Sequence, residues 1–144
     1  MRILFLGDVV GISGCSKLMN SLLSEIKLRK IDFVIVNGEN AAAQGVGLTK
    51  EICQDFFNCG VDVITTGNHV WDQKEIMEFI EKEERLLRPK NFFEPAPGKG
   101  FNIYTTKTNI KIGLAFSCQK LNSVPINQHD KKLDYIVTEK EILK

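Results

Sequence analysis

Two kinds of hydrophobic pattern alternate along most of this chain. Short continuous apolar runs, the signature of strands buried in a parallel sheet, are followed by stretches in which apolar residues recur every three or four positions. The run over residues 2 to 7 predicts a first strand, central in its sheet and buried on both faces; Gly7, Gly11 and Gly14 then mark a loop. From Cys15 to Arg29, Leu18, Leu22 and Ile26 form one apolar stripe while Lys17, Lys27, Arg29 and Lys30 take other faces, predicting an amphipathic helix packed on a sheet. Ile31 to Val36 is the second predicted strand, closed by Asn37-Gly38-Glu39-Asn40. A small-residue loop, Ala41 to Gly47, leads to Thr49 as N-cap and to a helix whose face carries Ile52, Phe56 and Cys59 and which Gly60 ends. The third strand, Val61 to Thr66, runs into Gly67-Asn68-His69-Val70-Trp71-Asp72, and Ile76, Phe79 and Ile80 mark a third helix, with Asp72 and Glu75 at capping-box spacing.

Repeated strand–helix units of this kind predict right-handed βαβ crossovers and an α/β fold with a parallel sheet. Beyond Arg88-Pro89, the loop from Lys90 to Gly100 is rich in turn formers, including Pro95, Pro97 and Gly98. Phe101 to Thr106 and Ile110 to Phe116, joined by Lys107-Thr108-Asn109, predict an antiparallel hairpin. After Ser117 the pattern becomes polar and irregular, and the charged stretch from Lys131 to Lys144 is a short strand or helix. The expected organisation is therefore a domain over residues 1 to 117 and a divergent, unpatterned tail over 118 to 144.

Composition changes this picture little but narrows the functions. At 144 residues, 43% hydrophobic and 26% charged, the chain has the size and balance of one folded domain. A net charge of +1 and scattered basic residues leave no footprint for duplex nucleic acid or a membrane surface. No apolar run reaches the roughly 18 residues a membrane span requires, and the start reads as a strand and not as a signal peptide. Cys15, Cys53, Cys59 and Cys118 are widely spaced with no C-x-x-C pair, which fits reduced thiols and a cytoplasmic location.

The chemistry-bearing residues lie where the predicted strands end. Asp8 and Glu39 each follow an apolar strand, and ligands gather at the carboxyl ends of parallel strands. Ionised carboxylates suit hard divalent cations such as Mn2+, Mg2+ or Fe2+, and two that converge repel unless a cation lies between them. The other reading of each is a cap on the following backbone amides. Asn40 and Asn68 offer neutral carbonyl oxygens or, equally, bond their own turns. His69 shares a turn with Asn68, and an imidazole is the side chain suited to donate a proton to a leaving oxygen near neutral pH. Asp72 is assigned to the helix cap, and Trp71 to packing under the loop, with stacking on a substrate base as its second reading. Arg88 faces either a phosphate or a surface ion pair; His129 carries no motif and is assigned no role.

Taken together, Gly7-Asp8-Val9-Val10-Gly11, Asn37-Gly38-Glu39-Asn40-Ala41-Ala42 and Gly67-Asn68-His69-Val70-Trp71-Asp72 resemble the calcineurin-like metallophosphoesterases. The chain is most similar to the small bacterial branch that hydrolyses cyclic nucleotides and other phosphodiesters, a likeness shared by Arg88-Pro89-Lys90-Asn91-Phe92 and Pro97-Gly98-Lys99-Gly100. The resemblance runs from Met1 to about Ala115 and implies a layered αββα fold, present here as its first βαβαβα units and a hairpin. It further implies that Asp8 and Asn40 bind one metal, Glu39 bridges two, Asn68 binds the second and His69 donates a proton. Such pairs of ions, roughly 4 Å apart, hold a hydroxide for in-line attack on phosphorus.

Val10 stands where the wider superfamily has a histidine, and Glu39 where it has an aspartate; both departures fit the bacterial branch. That branch takes three further histidine ligands from a second half, whereas this chain has no histidine between His69 and His129. The expectation is a truncated metallophosphoesterase with an oxygen-only half-site and an open sheet edge. The alternative is a non-catalytic α/β module that binds a phosphate ligand or associates with copies of itself through that edge.

Overall fold

The computed structural model describes residues 1–93, 95–106, 110–114, 120, 123, 126–128, 130, 132–138 and 140–144. It divides into two compact units, Met1–Gly100 and Phe101–Lys144. The first is the expected α/β body: β1 (Ile3–Leu6), α1 (Gly11–Arg29), β2 (Phe33–Asn37), α2 (Lys50–Asn58), β3 (Val63–Thr65), a single 3-10 turn (Asn68–Trp71), α3 (Ile76–Phe79) and β4 (Leu86–Leu87). The four strands form one sheet in the order β1-β2-β3-β4, and every pairing is parallel. A parallel pair needs a crossover long enough for a helix, and α1 and α2 supply the first two.

The core lies between the sheet and these helices. Cys15, Leu18 and Leu22 of α1, Val34 and Val36 of β2, Cys53 and Phe56 of α2, Ile64 of β3 and Leu86 of β4 form one buried cluster with Ile76 and Ile80. Each large aliphatic or aromatic side chain removed from water there contributes about 1.5–3 kcal/mol. β2 is buried along both faces, whereas β1 is an edge strand and not the central one expected, with Phe5 47% exposed. Beside it a cavity of about 470 Å³ is lined by Leu4, Leu6, Leu18 and Leu22 together with polar residues of α1. Neither an interior sheet position nor full burial of β1 follows from its apolar composition.

Helix boundaries were legible where a cap residue exists. The Thr49 hydroxyl accepts from Ile52 N–H at the start of α2. At its other end Gly60, at φ +103°, allows Gly60 N–H to reach Phe57 O and Val61 N–H to reach Phe56 O, the paired bonds of a Schellman stop. α1, in contrast, begins at Gly11 and not Cys15, so Gly11 and Gly14 belong to the helix and not to a loop. Its start has no side-chain cap and is fixed by a distant tie, Gly11 N–H to Asn40 O at 2.8 Å, which no local pattern encodes. α3 is a single turn, and Asp72 does not cap it; its N-cap position is Glu75, whose carboxylate instead accepts from Lys50 N–H at the start of α2.

In the second unit, β5 (Ile103–Thr105) and β6 (Lys111–Leu114) form the predicted antiparallel pair, while residues 107–109 of the connecting turn and 115–116 of the second predicted strand lie outside the described residues. The charged stretch from 131 to 144 contains strands: β7 (Tyr135–Val137) pairs parallel with β6, and β8 (Ile142–Leu143) pairs antiparallel with β7. The order in this second sheet is β5-β6-β7-β8. Cys118 and His129 lie outside the described residues.

Candidate active site

Strand register explains why the chemistry-bearing residues meet. Leu6 lies beside Val36 and Asn37 beside Thr65. Continued two residues past the strand ends, that register sets Asp8 level with Gly38 and Gly67 level with Glu39. Backbone bonds carry the alignment into the loops: Val9 N–H donates to Asn37 O, Gly38 N–H to Thr65 O and Thr66 N–H to Leu87 O. Asp8, Glu39 and Asn68 therefore follow neighbouring strands along one edge of the sheet, as the sequence pattern predicts.

The Glu39 carboxylate is the centre of this arrangement. Asn37 holds the residue at backbone and side chain, its Oδ1 accepting from the Glu39 backbone N–H at 3.0 Å and its Nδ2 donating to Glu39 Oε1 at 3.3 Å. Glu39 Oε2 is buried and has no hydrogen-bond partner. A β-carbon on Gly67 would stand 2.1 Å from that oxygen, so only glycine lets the third loop pass so close. Asn40 Nδ2 donates to Asp8 Oδ2 at 2.7 Å, which turns the amide so that Asn40 Oδ1, also buried, is left without a donor. Two acceptor oxygens thus sit dry and unmatched at one end of the sheet, an arrangement that costs free energy unless a donor or cation meets them. Among the described residues no backbone N–H donates to the side chain of Asp8 or Glu39, so the capping alternative is not what these carboxylates do there.

The third loop is more open. Asn68 is exposed and starts the 3-10 turn without bonding to the other candidates. His69 is half-buried, and its Nδ1 lies 2.6 Å from Asp72 Oδ2. Asp72 therefore serves the imidazole in its own turn, correcting its assignment to a helix cap. Trp71 packs on the core and sets its ring 6.0 Å from that of Phe92, tilted by 51°, in line with a packing role. Among the described residues no three His, Cys, Asp or Glu side chains gather as a metal-holding group, so the donors at the sheet end are a mixture of carboxylates and amides.

Arg88 is not on the surface. It is 4% exposed, and its guanidinium donates from Nε to Pro97 O at 3.0 Å, from one terminal nitrogen to Pro89 O at 3.1 Å and from the other to Ala96 O at 3.0 Å. A planar fork of donors matches a loop that presents several carbonyls, which proline-rich segments do because they lack N–H groups to satisfy them locally. Three residues went unassigned in the sequence: Asn37, Gly67 and Gln73, whose Nε2 donates to Val46 O at 2.9 Å. Only register could have singled out Gly67, through its level with Glu39.

The described thiols take no part in the site. Cys15, Cys53 and Cys59 are buried and free. Burial pushes all three up from the ordinary thiol range, Cys53 to about 12.

Comparison with known proteins agrees with this fold. Residues 4–141 match the YmdB-like protein family. Over 101 residues the chain is 50% identical to a 2',3'-cyclic-nucleotide 2'-phosphodiesterase of Bacillus subtilis, covering 69% of this chain and 38% of that protein. Among solved structures it superimposes on a hypothetical protein from Thermus thermophilus with TM-score 0.79 at 30% identity, covering 96% of this chain and 56% of that one. A phosphatase structure from Mycoplasma pneumoniae matches with TM-score 0.71 at 31% identity, over 80% of this chain and 42% of the other. The chain thus spans well under two thirds of the length of each of these relatives. With the matched sequence and the superimposed fold in agreement, the chain belongs to the YmdB-like family.

Proposed function

We propose that this chain carries the strand-end half of a metal-dependent phosphodiesterase site acting on cyclic nucleotides or related phosphodiesters. The observation that carries the reading is the pair of buried, unmatched acceptors, Glu39 Oε2 and Asn40 Oδ1. Acceptors without donors fit a cation, and carboxylate and amide oxygens fit a hard one, Mn2+, Mg2+ or Fe2+. Asp8, Glu39, Asn40 and Asn68 would hold it. When bound, a divalent ion supplies charge neutralisation on phosphoryl oxygens and a more acidic water.

The protein's own residues do the remaining work. Asn37 keeps Glu39 fixed so that one carboxylate oxygen is free, and Asp8 turns the Asn40 amide so that its carbonyl is presented. His69, half-buried and next to Asn68, is the group that would hand a proton to the leaving oxygen. The named relative in B. subtilis acts on 2',3'-cyclic nucleotides, which supports the substrate class.

Soaking crystals with Mn2+ and collecting anomalous scattering should place an ion against Glu39. Hydrolysis of an aryl phosphodiester with Mn2+ present should fall by about 100-fold or more in His69→Ala, within the range of general acid catalysis. No ion near Glu39, or equal rates in the two proteins, would overturn the reading. An ion that binds without turnover in either protein would leave the non-catalytic alternative standing in its place, a module that binds the ligand only. The oxygen-only donor set is the observation that favours that second reading.

A further inference from the structure

We infer that Asp72 is the positioning residue for His69, fixing the ring as the Nδ1–H tautomer so that Nε2 is the nitrogen available to carry a proton in the site. The inference rests on the proposed role of His69, and goes beyond it by naming the group that sets which ring nitrogen can act.

The geometry is local and specific. Asp72 Oδ2 lies 2.6 Å from His69 Nδ1, three residues away in the chain, and the 3-10 turn between them closes with Val70 N–H on Gly67 O and Asp72 N–H on His69 O. A carboxylate is an acceptor only, so the ring nitrogen facing it must carry the hydrogen. The neutral ring is then protonated at Nδ1 and bare at Nε2, and the charged ring has its second proton at Nε2. No hydrogen bond to Nε2 exists among the described residues, so none of them competes for that atom.

The rest of the turn is built to keep this pair in place. Val70, between the two in the chain, is fully buried in the core, and Trp71 packs on the core and against Phe92. Gln73, next to Asp72, is tied to Val46 O. Glu75, the other carboxylate close by in sequence, accepts from Lys50 N–H. An asparagine in place of Asp72 can also donate to Nδ1, which would allow the opposite tautomer and put the hydrogen on Nε2 in the neutral ring.

The test reads the ring directly and needs neither metal nor turnover. Nitrogen-15 spectra of the imidazole, followed upward in pH until the signals stop changing so that the ring is neutral, separate a protonated from a bare nitrogen, and His129→Gln assigns the signals to His69. The wild type should show one tautomer, Nδ1–H. Asp72→Asn should shift the ring to Nε2–H or to an average of both, and Asp72→Glu should restore the wild-type pattern at least in part. In the aryl phosphodiester assay Asp72→Asn should lose about tenfold or more in rate, with the substrate KM little changed.

A wild-type ring that is Nε2–H or averaged, or one that Asp72→Asn leaves unaltered, would overturn the assignment. The two readings fail separately. A wild type with the expected tautomer and no hydrolysis removes the activity but not the pairing, whereas hydrolysis with the wrong tautomer removes the role of Asp72 and leaves the phosphodiesterase reading intact.

Discussion

Glu39 and His69 sit on neighbouring loops at one end of one sheet, yet they are held in opposite ways. On the Glu39 side, the side chain and its own backbone N–H are clamped by Asn37, the loop closes on itself through Gly47 N–H to Glu39 O at 2.6 Å, and Asn40 O anchors the first turn of α1. Around His69 the bonds are few: one carboxylate on the ring, a 3-10 turn, and packing of Trp71 on Phe92 from the loop after β4. A group whose task is to hold a cation gains from a stiff, dry setting in which its unmatched oxygen cannot relax away. One whose task is to deliver a proton needs an oriented ring and access to water.

Support for the His69 side comes from further off, and Arg88 is where it can be broken most severely. The buried guanidinium gathers the carbonyls of Pro89, Ala96 and Pro97 and so shapes the loop that presents Phe92 to Trp71. Arg88→Met keeps much of the side-chain volume but strips these oxygens of their donors in a buried place. A loss of about 3 kcal/mol in urea denaturation is expected, along with altered Trp71 fluorescence in the folded state. The Mn2+ binding proposed at Glu39 should be unaffected. Equal damage to both sides would mean that the loop supports the whole sheet end and that the contrast between them is wrong.

How much of this was legible in the sequence follows the same division. The parallel strand–helix succession, the meeting of Asp8 with the Asn40 loop, and both ends of α2 were legible because they depend on apolar runs and on local cap chemistry at Thr49 and Gly60, whereas the place of β1 at the sheet edge was not. The start of α1 was not, since it is fixed through Asn40 O by a residue remote in the chain. Asp72 was misread for a related reason: the spacing to Glu75 mimics a capping box, while three-dimensional partners draw the two carboxylates to His69 Nδ1 and Lys50 N–H. Arg88 was read as facing a phosphate or a surface ion pair because arginine is usually exposed, and only the fold reveals the carbonyls that surround it. β4, two residues long, carries too little pattern to predict.

Alkaline pH should act on the dry core beneath the Glu39 side. Cys53 belongs to α2, just beyond that loop, and burial raises its thiol to about 12, with the negative Glu83 adding to the rise. The folded state therefore keeps this proton over a range in which the unfolded chain has lost it. Its contribution is fully present below about pH 9 and is lost as pH rises from there toward 12, at about 1.4 kcal/mol per pH unit. Cys15 and Cys59 shift in the same direction and steepen the fall. Urea midpoints measured between pH 8 and pH 10.5 should decline accordingly, and Cys53→Ser should flatten the decline although it starts from a lower stability. A slope unchanged by that substitution would remove Cys53 as its source.

The smallest expected effect is also the finest test of whether the two sides act independently. Gln73 follows the Asp72 carboxylate directly and donates from Nε2 to Val46 O in the loop that begins at Glu39, so it is a direct link from one side to the other. Packing is close there as well, since a β-carbon on Gly47 would stand 2.6 Å from Gln73 Cγ. Gln73→Ala removes one neutral hydrogen bond and some contact, for about 1 kcal/mol. If the stiff side positions the open one, this variant should broaden the ring signals of His69 and lower phosphodiester turnover while Mn2+ affinity stays the same. A weaker hold on Mn2+ with an unaffected ring would reverse the direction of support, making the His69 turn the brace and the Glu39 loop the part that depends on it.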